Sequence, residues 1–360
     1  MSEDLSKAKP VERVKAIFDV EVTNRCNAHC VMCPREKTPA QGLMDEATFR
    51  QSVARAVEYG RVEAFVIGGL GEPLVHPAIV DFVRIAASAG LRPSMITNAA
   101  LLTKEKSEGL IEAGLKNVNV SIGGLTPETY ESVHRGLRWR ETYANVLNFL
   151  DLAAGKASVN LQISPTEQTY LEASGIARYW RKLGVRLCLI FPFASSRGGA
   201  LDNGPAEKKR CATRRLNKLP SGTLNIEAVF RPIKRDAAAL HRQADFVCYP
   251  KDRITFVSWQ GNYHLCCNDY EKRHVIGNVR DMSVSEAYRR KAELGRTNLK
   301  LCEECDFSGG DLPARDAGFY LRMLAYLLKG AAGAPGAKGR RRAELSRLTG
   351  RGSVKNVTAG

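Results

Sequence analysis

A group of closely spaced cysteines near the start of the chain has the residue type and spacing of a metal-cluster site. The motif is CxxxCxxC and consists of Cys26, Cys30 and Cys33. Three thiolates on one loop can hold three irons of a four-iron cubane cluster, which leaves one iron open to another molecule. Zinc bound with His29 or a distant cysteine, and cysteines that simply pack in a core, are the alternatives. The spacing, and the position directly after the predicted strand Ala16–Thr23, favour the cluster.

A second group of cysteines with ligand spacing lies in the last third of the chain. Its members are Cys248, Cys266, and the CxxC pair Cys302 and Cys305. A hairpin-like run around Gly261 leads into Cys266. Four thiolates from a hairpin and a CxxC pair suit zinc or an iron–sulfur cluster equally well on spacing alone.

Three cysteines remain outside both groups. Cys267, next to Cys266, has three possible roles: an alternative ligand, a buried structural thiol, or a thiol that donates hydrogen to a substrate radical. Cys188, on a predicted strand, is expected in the core. Cys211 lies in the basic run Lys208–Arg215 and is expected to be exposed and unliganded.

Short β-rich runs alternate with longer helical runs from Ala16 to about Phe193. The predicted strands are Ala16–Thr23, Glu63–Ile67, Arg92–Thr97, Asn117–Ile122, Ser158–Ile163 and Arg186–Phe191. The predicted helices are Asp45–Tyr59, Pro77–Ala89, Lys104–Ala113, Glu128–Leu152 with a break at Gly136, and Tyr170–Leu183. Six such βα units predict a parallel sheet with right-handed crossovers, and functional residues at the carboxyl ends of its strands.

The cysteine motif and a second segment together resemble the radical S-adenosylmethionine (SAM) enzymes. The second segment is Gly68-Gly69-Leu70-Gly71-Glu72-Pro73, after the second predicted strand. On the residues alone, Gly71 predicts a tight turn and Glu72 an acid at a helix start. In the family, the open iron binds SAM, and an electron from the cluster cleaves it to a 5′-deoxyadenosyl radical. The resemblance implies a [4Fe–4S] cluster on Cys26, Cys30 and Cys33.

The resemblance also implies a set of SAM contacts. These are Gly71, Glu72, Thr97, Asn98, Ser121 and Met32. Three positions depart from the family pattern. Met32 stands where an aromatic residue is more common, and Ala99 and Gly123 replace the usual Gly and Asp of their loops. The departures affect the expected adenine and ribose contacts and leave the cluster ligands intact.

The second cysteine group resembles the auxiliary-cluster module called twitch, a truncated relative of the SPASM domain. This resemblance implies that Cys248, Cys266, Cys302 and Cys305 ligate one auxiliary [4Fe–4S] cluster. A second auxiliary cluster would need further cysteines, and none follows Cys305. The run Ser195–Gly199 resembles the loop that links barrel and twitch, where Arg197 is expected to contact substrate, SAM or the other domain.

The predicted fold class is α/β, with a partial (β/α)6 TIM-like barrel followed by a small α+β twitch/SPASM-like domain. The expected division is an N-terminal extension (1–15), the barrel (16–194), a linker region (195–243), the auxiliary-cluster domain (244–310), a C-terminal helix (311–329) and a basic, disordered tail (330–360). The helix is predicted over Tyr320–Leu328.

Composition narrows the function classes. The 360 residues are 44% hydrophobic and 26% charged, as in a globular protein. No stretch approaches the roughly 18 apolar residues of a membrane span, and Met1–Val14 lacks a signal-peptide core, so a cytoplasmic protein is expected. The net charge of +16, partly in the tail, suggests an anionic partner. Nucleic acid is not the expected partner, because no RNA-binding module is evident.

These features lead to an expected reaction. The radical removes hydrogen from a hydroxyl-bearing carbon of a small polar substrate, such as a sugar or aminocyclitol. Loss of a proton and an electron to the auxiliary cluster then gives a carbonyl. The expected partners are that substrate and an electron donor such as flavodoxin or ferredoxin.

Four other functions stay open on the sequence. An epimerase or dehydratase would use Cys267 as hydrogen donor. A peptide- or protein-modifying enzyme is disfavoured because only about fifteen residues precede the first strand, too few for a leader-binding domain. RNA modification would rest on the basic tail and Lys208–Arg215. A non-catalytic cluster-binding protein conflicts with the intact cysteine motif and Glu72.

Overall fold

The fold is built on one large sheet. The computed structural model describes residues 15–192, 194, 197, 200–201, 219, 223–225, 248–295, 297, 299–303, 305 and 336–349. Within these residues the strands are β1 (Ala16–Val20), β2 (Val62–Ile67), β3 (Pro93–Thr97), β4 (Asn117–Ser121), β5 (Ser158–Ile163), β6 (Leu187–Ile190), β7 (Thr223–Asn225), β8 (Ile254–Val257), β9 (Asn262–His264) and β10 (Val275–Asn278). Their order across the sheet is β10-β9-β8-β1-β2-β3-β4-β5-β6-β7. The pairs from β8 through β7 are parallel, and β9 and β10 add an antiparallel edge.

Helices follow the strands in the expected alternation. They are α1 (Glu46–Tyr59), α2 (Ile79–Ser88), α3 (Lys104–Glu112), α4 (Pro127–Val133), α5 (Trp139–Leu152), α6 (Ala173–Lys182), α7 (Tyr249–Asp252), α8 (Val284–Leu294), α9 (Lys300–Glu303) and α10 (Ala337–Thr349). Arg35–Lys37 and Pro73–Val75 form 3₁₀ turns. The break at Gly136 separates α4 from α5, and this glycine has φ 89°, which suits a residue without Cβ. The predicted partial barrel is confirmed.

The sheet buries a continuous hydrophobic core beneath its helices. On β1, Phe18 and Val20 are fully buried. Phe18 stacks on Phe65 at 5.9 Å, and Phe49 of α1 meets Phe65 edge-on at 6.1 Å. Because side chains alternate along a strand, Asp19 of β1 faces away from these helices, toward the inside of the barrel.

The C-terminal part joins the barrel sheet through β8. Ile17 to Val20 of β1 pair in parallel with Ile254 to Val257 of β8. The N–H of Glu21 extends this pairing by donating to the carbonyl of Val257 at 2.8 Å. The second cysteine group is therefore carried by elements that continue the barrel sheet next to β1.

The expected linker region, 195–243, contributes a strand. Thr223–Asn225 forms β7 and pairs in parallel with β6, with Cys188 opposite Thr223. Its three residues are too few to show a β pattern in the sequence. Cys211, most of the Ser195–Gly199 loop and the predicted helix Tyr320–Leu328 lie outside the described residues.

The tail that composition predicted to be disordered contains a helix. Residues 337–349 form α10, which packs on α5. Arg341 is 9% exposed, and its guanidinium reaches Asp151 at 2.6 Å and the Leu183 carbonyl at 2.9 Å. Leu348, further along α10, is also buried. Within 337–349 the expected disorder is not observed, because a few side chains of α10 find partners on the barrel surface. None of the described helices is long and apolar enough to cross a membrane.

Candidate active site

The first cysteine group lies on a loop held by backbone hydrogen bonds. The N–H of Cys33 donates to the carbonyl of Cys30 at 3.0 Å. The loop is also bound to the chain after α4, because the N–H of His29 donates to the carbonyl of Arg135 at 2.8 Å, and that of Val31 to the carbonyl of Val133 at 3.0 Å. These hydrogen bonds fix the backbone of the cysteine loop independently of any ligand on the thiols.

The three thiols are partly buried and lie within electrostatic reach of one another. Burial, then the nearby Glu72 and Cys33, raise the pKa of Cys26 to about 11. Burial, then Cys33 and Cys26, also raise the pKa of Cys30. Thiolates in this place therefore need a bound cation for charge balance, and the irons of a cluster supply one. The donor set fits an iron–sulfur cluster.

No group of three or more His, Cys, Asp or Glu side chains in the described parts of the chain is arranged to hold a single metal ion. The thiols of a cluster site bind different irons, so they need not converge on one point.

Glu72 connects three loops beside the cysteines. It is 1% exposed. Its carboxylate accepts hydrogen bonds from the Thr97 hydroxyl at 2.7 Å and from the Asn98 N–H at 2.7 Å. Asn98 in turn donates to Asn27, next to Cys26, at 2.9 Å. The structure thus brings Glu72, Thr97 and Asn98 together beside Cys26.

Gly71 lies where no side chain fits. A Cβ at this position would stand 2.1 Å from the carbonyl oxygen of Thr23 and 2.7 Å from that of Arg25. The neighbouring Glu72 N–H donates to the same Arg25 carbonyl at 2.9 Å. Glycine is required here because the loop after β2 runs directly against the chain that leads to Cys26.

The other expected SAM contacts lie at separate places around the strand ends. Ser121 ends β4, half-buried, with its backbone paired to Gln162. Met32 is 8% exposed and packs with Val133 and Ala194. Ala99 has φ 61°, a left-handed conformation that explains why glycine is usual there.

The departure at Gly123 has a packing explanation. A Cβ there would stand 2.7 Å from Nε2 of His134. The His134 ring thus occupies the space that a longer residue at 123 would need. Burial lowers the pKa of His134 to about 4, so the imidazole is neutral at physiological pH.

The second cysteine group is also gathered in one place. Burial raises the pKa of Cys266, and the nearby Cys305 and Cys248 raise it further. Burial, then the nearby Cys305, raise the pKa of Cys302 to about 12. The amide of Asn268 donates to the Cys305 sulfur at 3.4 Å. The other three expected ligands of the auxiliary cluster therefore lie within electrostatic reach of Cys305.

Cys267 lies between this group and the barrel interior. Burial, then the nearby Asp19 and Cys305, raise its pKa to about 12. The side chain is therefore a protonated thiol in the protein as described. Its closeness to Asp19 of β1 places Cys267 on the barrel side of the second cysteine group.

Two buried acids and a lysine lie at the junction of barrel and C-terminal part. Asp19 is 9% exposed and Glu21 is fully buried. Lys272 reaches the Glu21 carboxylate at 3.3 Å and lies over the Phe256 ring at 4.0 Å. Oδ1 of Asp19 and Oε1 of Glu21 have no hydrogen-bond partner among the described residues. Burial, then Glu21, raise the pKa of Asp19 to about 7, and Lys272 opposes the shift.

Arg197 links the barrel to the C-terminal part. Its guanidinium donates to the Tyr270 hydroxyl at 3.4 Å, and that hydroxyl donates to Asn268 at 3.0 Å. Arg197 also lowers the pKa of Cys33, whose overall shift is upward because of burial. The interdomain contact expected for Arg197 is present, and the residue lies near both cysteine groups.

The sequence alone did not single out Asp19, Glu21, Lys272 or His134. A sequence signal for the two acids exists: Asp19 and Glu21 alternate in an otherwise apolar predicted strand. Acids are seldom fully buried unless they have a partner, so two of them in a buried strand indicate a binding or catalytic role. For His134 and Lys272 the local sequence holds no signal, because their importance comes from contacts with distant segments.

Comparison with known proteins agrees with this geometry. The sequence profile of the Radical SAM superfamily matches residues 20–161, and that of the SPASM iron–sulfur cluster-binding domain matches residues 248–306. The chain is a radical SAM enzyme with a SPASM domain. These two domains bind [4Fe–4S] clusters and SAM, so the cofactor prediction is confirmed at that level.

Several proteins are similar to this radical SAM enzyme. A tungsten-containing aldehyde ferredoxin oxidoreductase cofactor-modifying protein from Pyrococcus furiosus is 25% identical over 305 residues, covering 75% of this chain and 79% of the relative. A GTP 3′,8-cyclase from Peptoclostridium acidaminophilum is 39% identical over 122 residues, which cover 32% of this chain and 37% of the cyclase. The match to the cyclase thus spans less than half of either protein.

Two solved structures share the fold. SuiB from Streptococcus suis, bound to its precursor peptide SuiA, has a TM-score of 0.61 at 13% identity, over 83% of this chain and 72% of SuiB. BtrN in complex with AdoMet and 2-DOIA has a TM-score of 0.50 at 20% identity, over 85% of this chain and 94% of BtrN. At these identities the likeness supports the fold of the enzyme and leaves its substrate undecided.

Proposed function

We propose that this radical SAM enzyme dehydrogenates a small polar substrate, of the sugar or aminocyclitol type, at a carbon that bears a hydroxyl. The observation that carries the proposal is the pairing of β8 with β1. Through it, Cys267, next to the ligand candidate Cys266, lies near Asp19, on the strand that leads into Cys26. In this proposal, the hydrogen-abstraction site, the proton acceptor and the electron acceptor are neighbours.

In this proposal the bound cofactors supply the radical and electron chemistry, and the protein's side chains bind and position the cofactors. When bound, the first cluster with SAM supplies the radical that removes a hydrogen atom from carbon, and the auxiliary cluster takes up the remaining electron. In this proposal Cys26, Cys30 and Cys33 hold the first cluster. Cys248, Cys266, Cys302 and Cys305 hold the auxiliary one. Glu72, Thr97 and Asn98 shape the SAM side of the site, where Glu72 fixes the loops after β2 and β3.

The protein must accept the hydroxyl proton, and Asp19 suits this task. Its Oδ1 is buried, has no partner among the described residues, and belongs to a carboxyl whose pKa is raised to about 7. A general base works best when its pKa lies near the operating pH. The Glu21–Lys272 pair fixes the C-terminal part over this position, and the burial of all three groups excludes bulk water.

The buried acids also favour a substrate rich in hydrogen-bond donors. Unpartnered carboxylate oxygens are costly in a buried site unless a ligand donates to them. Hydroxyl and ammonium groups of a sugar or aminocyclitol would supply such donors at Asp19 Oδ1 and Glu21 Oε1. A single-electron donor of the flavodoxin or ferredoxin type would reduce the first cluster for each turnover.

An epimerase is the second candidate function, and the position of Cys267 favours it. A protonated thiol beside Asp19 is able to return a hydrogen atom to a substrate radical, and one electron from the flavodoxin- or ferredoxin-type donor together with a proton would restore the thiol. In a dehydrogenase the product is a carbonyl, and one substrate is oxidised per 5′-deoxyadenosine formed. In an epimerase in D2O, the thiol exchanges its hydrogen with solvent and delivers deuterium to the product carbon.

The first experiment tests the cluster assignment. The protein is reconstituted anaerobically, its iron is counted, and 5′-deoxyadenosine is measured after addition of dithionite and SAM. We expect about eight irons per chain in the wild type and about four in C26A/C30A/C33A, which forms no 5′-deoxyadenosine. The variant C248A/C302A should also fall to about four irons but still cleave SAM. C188A, which changes a buried cysteine outside both groups, is the matched control.

The second experiment tests the reaction type. Inositols, aminocyclitols, hexoses and amino sugars are incubated with the reconstituted enzyme in D2O, and products are analysed by mass spectrometry. A product two mass units lighter, formed by wild type and C267A alike but not by D19N, supports dehydrogenation. Deuterated product that depends on Cys267 supports the epimerase instead. Full iron loading without SAM cleavage would contradict both.

A further inference from the structure

The imidazole of His134 lies against one of the three cysteines of the first group. Nδ1 of His134 is 3.3 Å from Sγ of Cys30. The contact is set by the backbone, because His29 bonds to Arg135 and Val31 bonds to Val133. Cys30 and His134 are therefore opposite each other, between two hydrogen bonds, in a short ladder of backbone pairing.

The His134 ring is held in this orientation from several sides. It is 2% exposed and stacks on Tyr130, with ring centres 4.7 Å apart and planes 29° apart. The Tyr130 hydroxyl is anchored by donating to Thr142 at 3.2 Å. On the other side, the backbone of Gly123 closes the space around Nε2. The ring has little room to turn away from Cys30.

The charge state of the Cys30 sulfur determines which ring nitrogen of His134 carries the proton. A cluster-bound Cys30 is a thiolate, which accepts hydrogen bonds and donates none. If the proton were on Nε2, the Nδ1 lone pair would face the sulfur and be repelled by its negative charge. With the proton on Nδ1, His134 donates to Cys30, and Nε2 is an acceptor without a partner among the described residues.

We propose that His134 donates a hydrogen bond from Nδ1 to the Cys30 thiolate and thereby raises the reduction potential of the first cluster. The inference rests on the proposed ligand role of Cys30. Reduction adds negative charge to the cluster and its sulfurs, and a donor stabilises that charge more in the reduced state than in the oxidised one. Hydrogen bonds to the sulfurs are among the factors that set the potentials of iron–sulfur clusters.

The His134 contact is closer than the side-chain contact that Asn98 makes to the same cysteine group. The amide of Asn98 is 3.9 Å from Cys26 Sγ, and it already donates to Asn27 at 2.9 Å. The His134–Cys30 distance is shorter, and its geometry is fixed by stacking and backbone pairing. His134 is a positioning residue that acts on SAM cleavage through the cluster.

The test is a measurement of the midpoint potential of the first cluster. The cluster is recognised by its EPR signal, which shifts when SAM is added, and this signal is monitored during the redox titration. His134→Leu keeps the volume and removes the donor. We expect about a tenfold smaller equilibrium constant for one-electron reduction, a shift of about 59 mV to more negative potential. His134→Asn restores a donor near the position of Nδ1 and should return the potential toward wild type. Tyr130→Phe keeps the stacked ring and should leave the potential unchanged.

A wild-type potential in fully loaded H134L would overturn the proposal, as would an equal shift in H134L and H134N. If H134L assembles no cluster, a second measurement decides. With 15N-labelled histidine, pulsed EPR of the SAM-responsive signal should show a nitrogen coupling in wild type that is lost in H134N. Absence of that coupling in wild type overturns the proposal. Failure of the ligand assignment is distinct, because C30A would then retain the first cluster.

Discussion

The surroundings of Asp19 differ strongly from those of an ordinary, solvent-exposed aspartate. It lies on β1, whose side chains on the helix side are apolar. Glu21 follows two residues later, and Lys272, the ion-pair partner of Glu21, is nearby. Burial outweighs the lysine, so the pKa of Asp19 rises from 3.8 to about 7. A carboxyl in this state changes its charge within the range in which enzymes work, which makes it costly for folding and useful for proton transfer.

The pH dependence of stability tests this state. Native Asp19 holds its proton up to about pH 7, whereas in the unfolded chain it releases it near 3.8. The unfolded state binds fewer protons between these values, so the free energy of unfolding falls as pH rises toward 7. We expect D19N to exceed wild type by a few kcal/mol at about pH 8, with a smaller difference at about pH 5.5. Urea unfolding at several pH values measures the difference.

The control for D19N is D81N, which changes an acid that is 63% exposed. Its stability relative to wild type should show no comparable growth with pH. A D19N difference that is constant from about pH 5.5 to 8.5 would mean that Asp19 has an ordinary pKa in the folded protein.

Gly71 gives a second prediction at the residue scale. In G71A the new methyl would collide with the Thr23 carbonyl, 2.1 Å away, so the approach to Cys26 must change. We expect the iron count to fall by about four per chain, with the auxiliary cluster retained. G109A is the control, since its Cβ would meet Val80 at an ordinary 3.6 Å and replace a helical glycine. Full iron in G71A would show that the loop tolerates the collision.

At the scale of elements, α10 shows how packing overrides composition. Its thirteen residues include four Arg and one Lys, a basic composition that favours a solvated tail. Arg341 nevertheless turns inward to Asp151 and Leu183, and Tyr179 of α6 donates to Glu344 at 2.7 Å. Position along the helix, more than residue type, separates Arg341 from its exposed neighbour Arg342.

The pair Arg341 and Arg342 allows a matched test. R341A removes the guanidinium that donates to both Asp151 and the Leu183 carbonyl. We expect α10 to detach more readily, because its local free energy of opening falls by about 1–3 kcal/mol. Amide hydrogen exchange over 337–349 should then rise by one to two orders of magnitude, about tenfold per 1.4 kcal/mol. R342A should leave exchange unchanged. Equal protection in both variants would contradict the anchoring role of Arg341.

The elements predicted from sequence are those that local pattern determines. The six βα units and the break at Gly136 follow from strand runs, helix periodicity and glycine caps. The pairing of β8 with β1 joins residues more than two hundred positions apart, and no local pattern names the partner of a parallel strand. The same holds within the site: the cysteine spacing pointed to the cluster loops, whereas His134 and Lys272 act through distant contacts.

At the scale of the whole molecule, three ion pairs among the described residues connect the barrel to residues 248–295, and two of them differ sharply in burial. Glu21 and Lys272 form the inner pair, with side chains 0% and 11% exposed. Glu63 and Arg253 form the outer pair at 2.6 Å, with side chains 51% and 33% exposed. Both join the same two parts of the sheet, but solvent screens the outer pair and not the inner one.

The difference in burial predicts very different costs for the two pairs. K272M leaves the buried Glu21 carboxylate without its cation, at an expected cost of about 3–5 kcal/mol. R253M breaks an exposed pair and should cost about 0.2–1 kcal/mol. In E21Q/K272M the Glu21 side chain carries no charge, so most of the free energy of unfolding that K272M loses should be recovered. Urea unfolding of the four proteins measures this. Equal costs for K272M and R253M, or no recovery in the double variant, would mean that the inner pair does not hold the C-terminal part on β1 through its charge.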